Sequence, residues 1–273
     1  MNKKKIYCFS SQYFSYIDKL NYIPVGLGDN NFPAHWIRDN TGVNISHKNK
    51  FYDMYSFHYW FWKNEIKNIP KDIWIGFCTY RRLWKNNFNF SSLNLEDINS
   101  NIIQSIPEEW NKYDVVLPPK LDLRKIKKIK VFKNSPNFLI KNPSILFDIH
   151  HHNIRTHFEI FHDKQILDRS IYLIEKKERE DFLTFLNKDS FHPWNLFFCK
   201  SKELLIMYYE SVFNWLFKCE EIIGFSDLKG YRTGRVYAYL AERYLSFFFE
   251  KYAKVLSWPV LFLDKDTQFK LKN

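Results

Sequence analysis

Apolar runs of strand length alternate with amphipathic stretches along this chain. Lys5-Ile6-Tyr7-Cys8-Phe9 reads as a first, buried strand, and Tyr22-Ile23-Pro24-Val25-Gly26 as a second short strand or a tight turn. Residues 29–50 are polar, rich in Asn and Asp and without period, so they predict a long loop. Over residues 50–69, Tyr52, Tyr55, Tyr59, Trp62 and Ile66 recur at helical spacing, and Pro70 ends the pattern. Residues 72–78 form another apolar run, followed at once by Thr79-Tyr80-Arg81-Arg82. Tyr113-Asp114-Val115-Val116-Leu117 predicts a strand stopped by two prolines, and residues 122–141 a basic, irregular connector. Helix is predicted over residues 144–185, 202–223 and 234–251, with a short strand at 195–199. Strands alternating with helices predict an α/β domain with a mainly parallel sheet and a largely helical C-terminal half.

Composition narrows the class. With 273 residues, 45% hydrophobic and 19% aromatic, the chain can bury one sizeable core, or one core and a small subdomain. The expected organisation is a single domain over residues 1–273, divided into halves at 1–120 and 121–273. Seven glycines exclude a collagen-like repeat. A formal charge of +11 favours anionic partners: nucleotide diphosphates, lipid headgroups, polyprenyl phosphates or nucleic acid. Cys8, Cys78, Cys199 and Cys219 lie far apart, which speaks against a zinc ribbon or disulfide framework. Neither a signal-peptide core nor an uncharged window of about 18 residues is found, so the expected compartment is the cytoplasm.

Two stretches carry candidate chemistry. The first is the loop containing Asp39, Asn40, Thr41, Asn44, Ser46, Lys48 and Asn49. Its short polar side chains suit either an Asx-rich turn capping the next helix or a loop that reads a ribose and base. The second is the strand end Tyr80-Arg81-Arg82. In open α/β sheets ligands sit beyond the carboxyl ends of the strands, and arginine forks pair with phosphate oxygens. The same two arginines would equally serve structural ion pairs. His150-His151-His152 lacks metal-ligand spacing, and Gly26-Leu27-Gly28 lacks the third glycine of a dinucleotide loop. The basic residues 124–130 suit a solvated loop, or a contact with anionic inner-membrane lipid.

In order along the chain, several elements resemble one family. They are Tyr22-Ile23-Pro24-Val25-Gly26, then residues 39–46 with Lys48-Asn49, Tyr59-Trp60-Phe61-Trp62-Lys63-Asn64, and Gly76-Phe77-Cys78-Thr79-Tyr80-Arg81-Arg82. Asp114-Val115-Val116-Leu117-Pro118, Phe158 with His162, Asn195-Leu196-Phe197-Phe198, Trp215-Leu216-Phe217, and Arg235-Val236 with residues 239–243 follow. The pattern is similar to the bacterial capsular polysaccharide synthesis family first catalogued as domain of unknown function 4422, a family of glycosyltransferases and inferred glycosyltransferases. Two positions depart from it: Thr79 stands where the family usually has His, and His157 where it usually has Gln.

The resemblance implies a GT-A-like, Rossmann-type nucleotide-sugar-binding sandwich. It further implies transfer of a hexose from a nucleotide-diphosphate sugar, a UDP-hexose such as a galactofuranose donor, to a capsule, O-antigen or other surface glycan or lipid-linked glycan. Enzymes of that fold commonly hold Mn²⁺ or Mg²⁺ with an Asp-x-Asp pair. Here the only such pair, Asp264-Lys265-Asp266, lies outside every matched element, so no metal is expected, with Arg81 and Arg82 facing the diphosphate instead. Candidates for the base that accepts the acceptor hydroxyl's proton are Glu242, Asp189 and His192, and His162, Asn195 and Arg235 are expected on the acceptor side. Two rivals remain from other classes: a non-catalytic scaffold of a polysaccharide assembly complex, and a nucleic-acid-binding protein. The second lacks any recognisable groove-reading or stacking module.

Overall fold

The computed structural model describes residues 3–87, 98–125 and 152–264. The chain divides into two compact units. The first comprises Met1–Pro119, Trp194–Glu210 and Phe248–Asn273, and the second Lys120–Pro193 and Ser211–Phe247. Segments 194–210 and 248–273 thus join residues 1–119 in the first unit.

The first unit is built on strands β1 (Lys3–Ser10), β2 (Ile23–Gly26), β3 (Ile37–Arg38), β4 (Ile73–Thr79), β5 (Arg82–Trp84) and β6 (Val115–Leu117). The second unit holds β7 (Leu121–Asp122) and β8 (Ser190–Phe191). Strands β9 (Phe197–Cys199), β10 (Val255–Ser257) and β11 (Val260–Phe262) return to the first. Its sheet runs in the order β10-β6-β9-β4-β1-β2-β3, with β5 and β11 as an attached pair. β1 is parallel to both β2 and β4, β2 to β3, and β10 to β6, whereas β9 runs antiparallel to β4 and β6. The fold is thus mixed α/β with a mostly parallel sheet. β4 is buried along its whole length, as expected of a central strand covered on both faces.

Alternation along the strands sends aromatic residues to both faces. Tyr7, Phe9, Phe77 and Phe197 pack on Phe57, His58 and Phe61 of the 55–65 segment. On the other face Ile6, Cys8, Trp74, Cys78, Val116 and Phe198 form a core with Trp84, Trp110 and Trp258. The helix expected over residues 50–69 is broken into Asn49–Tyr52, Tyr55–Trp60, a π turn at Phe61–Glu65 and a 3₁₀ turn at Ile66–Asn68. Asp53, at φ 49°, separates the first two pieces.

Gly76 has no room for a side chain, because a Cβ there would enter the Phe198 ring on the neighbouring strand. Gly76→Ala is expected to destabilise the protein by about 1–3 kcal/mol, the usual cost of overpacking a filled core. A midpoint shift in urea unfolding at unchanged m-value would register it.

In the second unit, helices Ile154–Phe161 and Lys164–Leu173 start at side-chain caps. Asn153 Oδ1 accepts from the Thr156 N–H at 2.8 Å and Asp163 Oδ1 from the Ile166 N–H at 3.0 Å. Helix Lys176–Leu186 follows. Its Phe182 packs with Trp215, Tyr244 and Phe247, and the Trp215 indole N–H donates to the Ser170 carbonyl at 2.8 Å. Of the helix expected from residue 144, the part before residue 152 lies outside the described residues.

Candidate functional site

Four parallel strands of the first unit end side by side: Phe9 is paired with Thr79, Ser10 with Gly26, and Gly26 with Arg38. From β1 the chain builds β2 and β3 on one side, then places β4 on the other. This is a topological switch point, where the segments leaving β1 and β4 diverge and where open α/β sheets receive ligands. The two segments stay tied at their roots. The Tyr80 N–H donates to the Phe9 carbonyl at 2.9 Å, the Tyr16 hydroxyl to the Tyr80 carbonyl at 2.5 Å, and the Tyr80 ring stacks on Phe14 at 4.8 Å.

Thr79 pairs with Arg82, so Tyr80 and Arg81 form the two-residue turn of a hairpin between β4 and β5. The hairpin separates the two arginines. Arg81 is exposed at the tip, its guanidinium 5.9 Å from the Tyr80 ring, and the Leu263 N–H engages only its backbone carbonyl. Among the described residues that guanidinium has no hydrogen bond or ion pair. Arg82 is half-buried, with its guanidinium 4.9 Å from the Trp194 ring and 5.5 Å from that of Phe262.

The polar side chains of the loop after β3 are largely engaged within the protein. Asp39 is fully buried; its carboxylate accepts from the Gly28 N–H at 3.1 Å and from the Ser56 hydroxyl. Burial pushes its pKa above the ordinary carboxylate value, and those bonds oppose the shift. Asn44 Oδ1 accepts from the Ser46 N–H and hydroxyl, at 3.2 and 2.9 Å. The Asn49 amide donates to the Asp53 carbonyl and the Ser56 hydroxyl, at 2.9 and 2.8 Å. Thr41 Oγ1 accepts from the Trp60 indole at 3.0 Å. Asn64 grips Val43 by both its N–H and its carbonyl, at 3.0 and 2.8 Å, over Gly42 at φ 52°. Asn40 is exposed and Lys48 half-buried.

Entry into β9 is unusual. Trp194 and Asn195 both lie in the left-handed region, at φ 76° and 56°. Asn tolerates this and a bulky indole does not; such residues carry about 1–3 kcal/mol of strain each and persist where packing holds them. Asn195 Oδ1 accepts from the Tyr55 hydroxyl at 3.2 Å, which lies 2.5 Å from the Tyr208 hydroxyl. The turn stops β9 short of Thr79, whose buried Oγ1 has no hydrogen-bond partner among the described residues.

The remaining predicted residues lie in the second unit. Glu242 pairs with Arg243, which is 1% exposed, donates to His157 Nδ1 at 2.9 Å and sits against the Phe158 and Phe191 rings. His162 stacks on Tyr239 at 3.8 Å, and its Nδ1 lies 3.0 Å from the Arg232 carbonyl. Burial, then the Arg243 charge, holds both His157 and His162 well below the usual imidazole pKa. His192 is buried, and its backbone N–H donates to the Ser246 hydroxyl at 3.0 Å. Asp189 is largely exposed and 3.2 Å from Arg124, and Arg235 is exposed. Arg81, Arg82, Asp39 and Asn195 therefore belong to the sheet unit, and Glu242, His192, Asp189, His162 and Arg235 to the other.

β4 ends in Thr79-Tyr80-Arg81-Arg82, and Asp39, the carboxylate that follows β3, is occupied internally. Among the described residues no three His, Cys, Asp or Glu groups are placed to hold a metal ion. Asp264 is exposed, and Lys265, Asp266, His150 and His151 lie outside the described residues, as do Lys127, Lys128 and Lys130 of the basic stretch.

Sequence reasoning missed the roles of His58, Tyr55 and Trp194. His58 lies three positions after Tyr55, so the helical spacing could have placed it on the same buried face. Helical spacing marks Tyr55 only as one of an aromatic series, and its hydroxyl contact emerges only with the fold. Nothing in Pro193-Trp194-Asn195 signals two left-handed residues.

The fold has a solved counterpart. The chain is similar to the apo structure of WbbM, a bifunctional glycosyltransferase, with a TM-score of 0.68 and 23% identity over 96% of this chain. It spans 45% of that protein's chain. No curated protein matches it. Among the described residues no helix is long and apolar enough to cross a membrane. The pattern described as domain of unknown function (DUF4422) matches residues 5–253, nearly the whole chain, and the protein belongs to that family.

Proposed function

We propose that this protein is a glycosyltransferase of GT-A-like fold. It transfers a hexose from a nucleotide-diphosphate sugar, a UDP-hexose such as a galactofuranose donor, to a capsule, O-antigen or related surface glycan. The observation that carries this reading is the uncommitted Arg81 guanidinium at the hairpin tip that ends β4, beside the switch point between β1 and β4. A fixed cation there meets the charge that develops on the departing diphosphate, without the reorganisation water would need. Likeness in fold to a bifunctional glycosyltransferase supports the reaction class.

In this reading the transfer is metal-independent: Arg81, with Arg82 beside it, takes the role that a divalent ion has where carboxylates are present. Glu242 is the first candidate for the base, with Asp189 and His192 behind it. Glu242→Gln can keep a hydrogen bond to Arg243 but removes the charge that balances it, so its turnover is read beside its unfolding midpoint. The acceptor is a glycan or lipid-linked glycan, met at the inner face of the membrane.

The test is a panel of nucleotide sugars offered to the purified protein, with release of nucleoside diphosphate as readout. One donor is expected to turn over at undiminished rate in excess EDTA. Loss of turnover in EDTA with rescue by Mn²⁺ would remove the metal-free mechanism, and no turnover or binding of any nucleotide sugar would remove the function.

A further inference from the structure

Left unused by this chemistry is the strained turn that enters β9. Arg82 carries a long stem with many rotamers, yet its guanidinium lies against two aromatic rings, Trp194 at 4.9 Å and Phe262 at 5.5 Å. Phe262 reaches it by ordinary strand pairing, since β11 places residue 262 opposite residue 82. Trp194 reaches it from a backbone held at φ 76°. That conformation is held from the far side of the turn, where Tyr55 donates to Asn195 Oδ1 and is itself backed by Tyr208. A disfavoured backbone braced by buried hydroxyls, with an indole laid on a cation at its tip, fixes the direction of that cation.

We propose that Trp194 is a positioning residue: its indole orients the Arg82 guanidinium beside the Tyr80–Arg81 turn for a nucleoside diphosphate, and Tyr55 holds the turn that places it. A guanidinium ordered before binding loses less side-chain entropy when the anion arrives, so the gain appears as affinity. The proposal rests on the nucleotide-sugar reading of the same edge.

Calorimetric titration of the full chain with uridine diphosphate tests it through Trp194→Ala, Arg82→Ala and the double variant. Trp194→Ala is expected to weaken binding about tenfold in the wild-type background and less than twofold when Arg82 is already alanine, because the indole acts through the guanidinium. Trp194→Phe should restore most of the loss. Equal losses in both backgrounds, or none in either, overturn the positioning role while leaving the nucleotide site standing. Absence of uridine diphosphate binding by the wild type removes both. Should Trp194→Ala fail to fold, Tyr55→Phe, which deletes one hydroxyl, enters the same cycle with the same expected coupling to Arg82.

Discussion

Replacing Arg81 by alanine is expected to lower kcat/KM for the nucleotide sugar by about a hundredfold, with the larger share in kcat. Removing one preorganised donor to a developing oxyanion typically costs 10²–10³ in rate, about 2.7–4 kcal/mol. The substrate diphosphate is already charged, so some of the contact is made in the ground state and appears in KM. Thermal stability should scarcely change, since no described residue depends on that guanidinium. Arg81→Lys should recover only part of the rate, because an ammonium keeps the charge and loses the planar fork. Steady-state kinetics with the donor identified by the panel decide the matter. An Arg81→Ala enzyme as fast as wild type would take the catalytic cation away from the hairpin tip.

Acid is expected to unfold the protein well before most of its carboxylates are protonated, and His58 supplies a large part of that sensitivity. Its imidazole is fully buried among Phe9, Phe77 and Phe197, with Nδ1 on the Tyr209 hydroxyl at 2.8 Å, and burial lowers its pKa to about 3. In the unfolded chain the value is near 6.5, so below that pH the unfolded state takes up a proton the folded state refuses. The stability is intact above about pH 6.5 and falls by about 1.4 kcal/mol per pH unit toward pH 3, approaching about 5 kcal/mol for this one group. His157 and His162, also held low by burial, act in the same direction in the second unit. Asp39 opposes them, because its raised pKa lets the folded state accept a proton first as pH falls. Urea unfolding at pH 7, 6, 5 and 4 should show the decline, and His58→Phe should flatten its slope by one proton while lowering stability at pH 7 through the lost Tyr209 contact. An unchanged slope in that variant would mean His58 is protonated in the folded protein.

The sequence by itself determined the periodicities and the chemical types. The apolar runs at residues 5–9 and 72–78 read as buried strands because they are largely continuous rather than alternating, as suits a strand covered on both faces. The helix at 202–223 was legible from its spacing, as was Arg81-Arg82 at a strand end. Only the tertiary structure decided what those side chains meet. A two-residue hairpin exposes Arg81 and lays Arg82 on Trp194, although the two are neighbours of one type. Asp39, which reads as a ligand-facing carboxylate, is turned inward because Gly28 and Ser56, 11 residues before it and 17 after, converge on it. Strands β10 and β11 and the left-handed turn at 194–195 left no local trace, since their partners are more than a hundred residues away. Local patterns record what a residue prefers, whereas burial, pairing and strain depend on contacts between distant segments that no window of the chain contains.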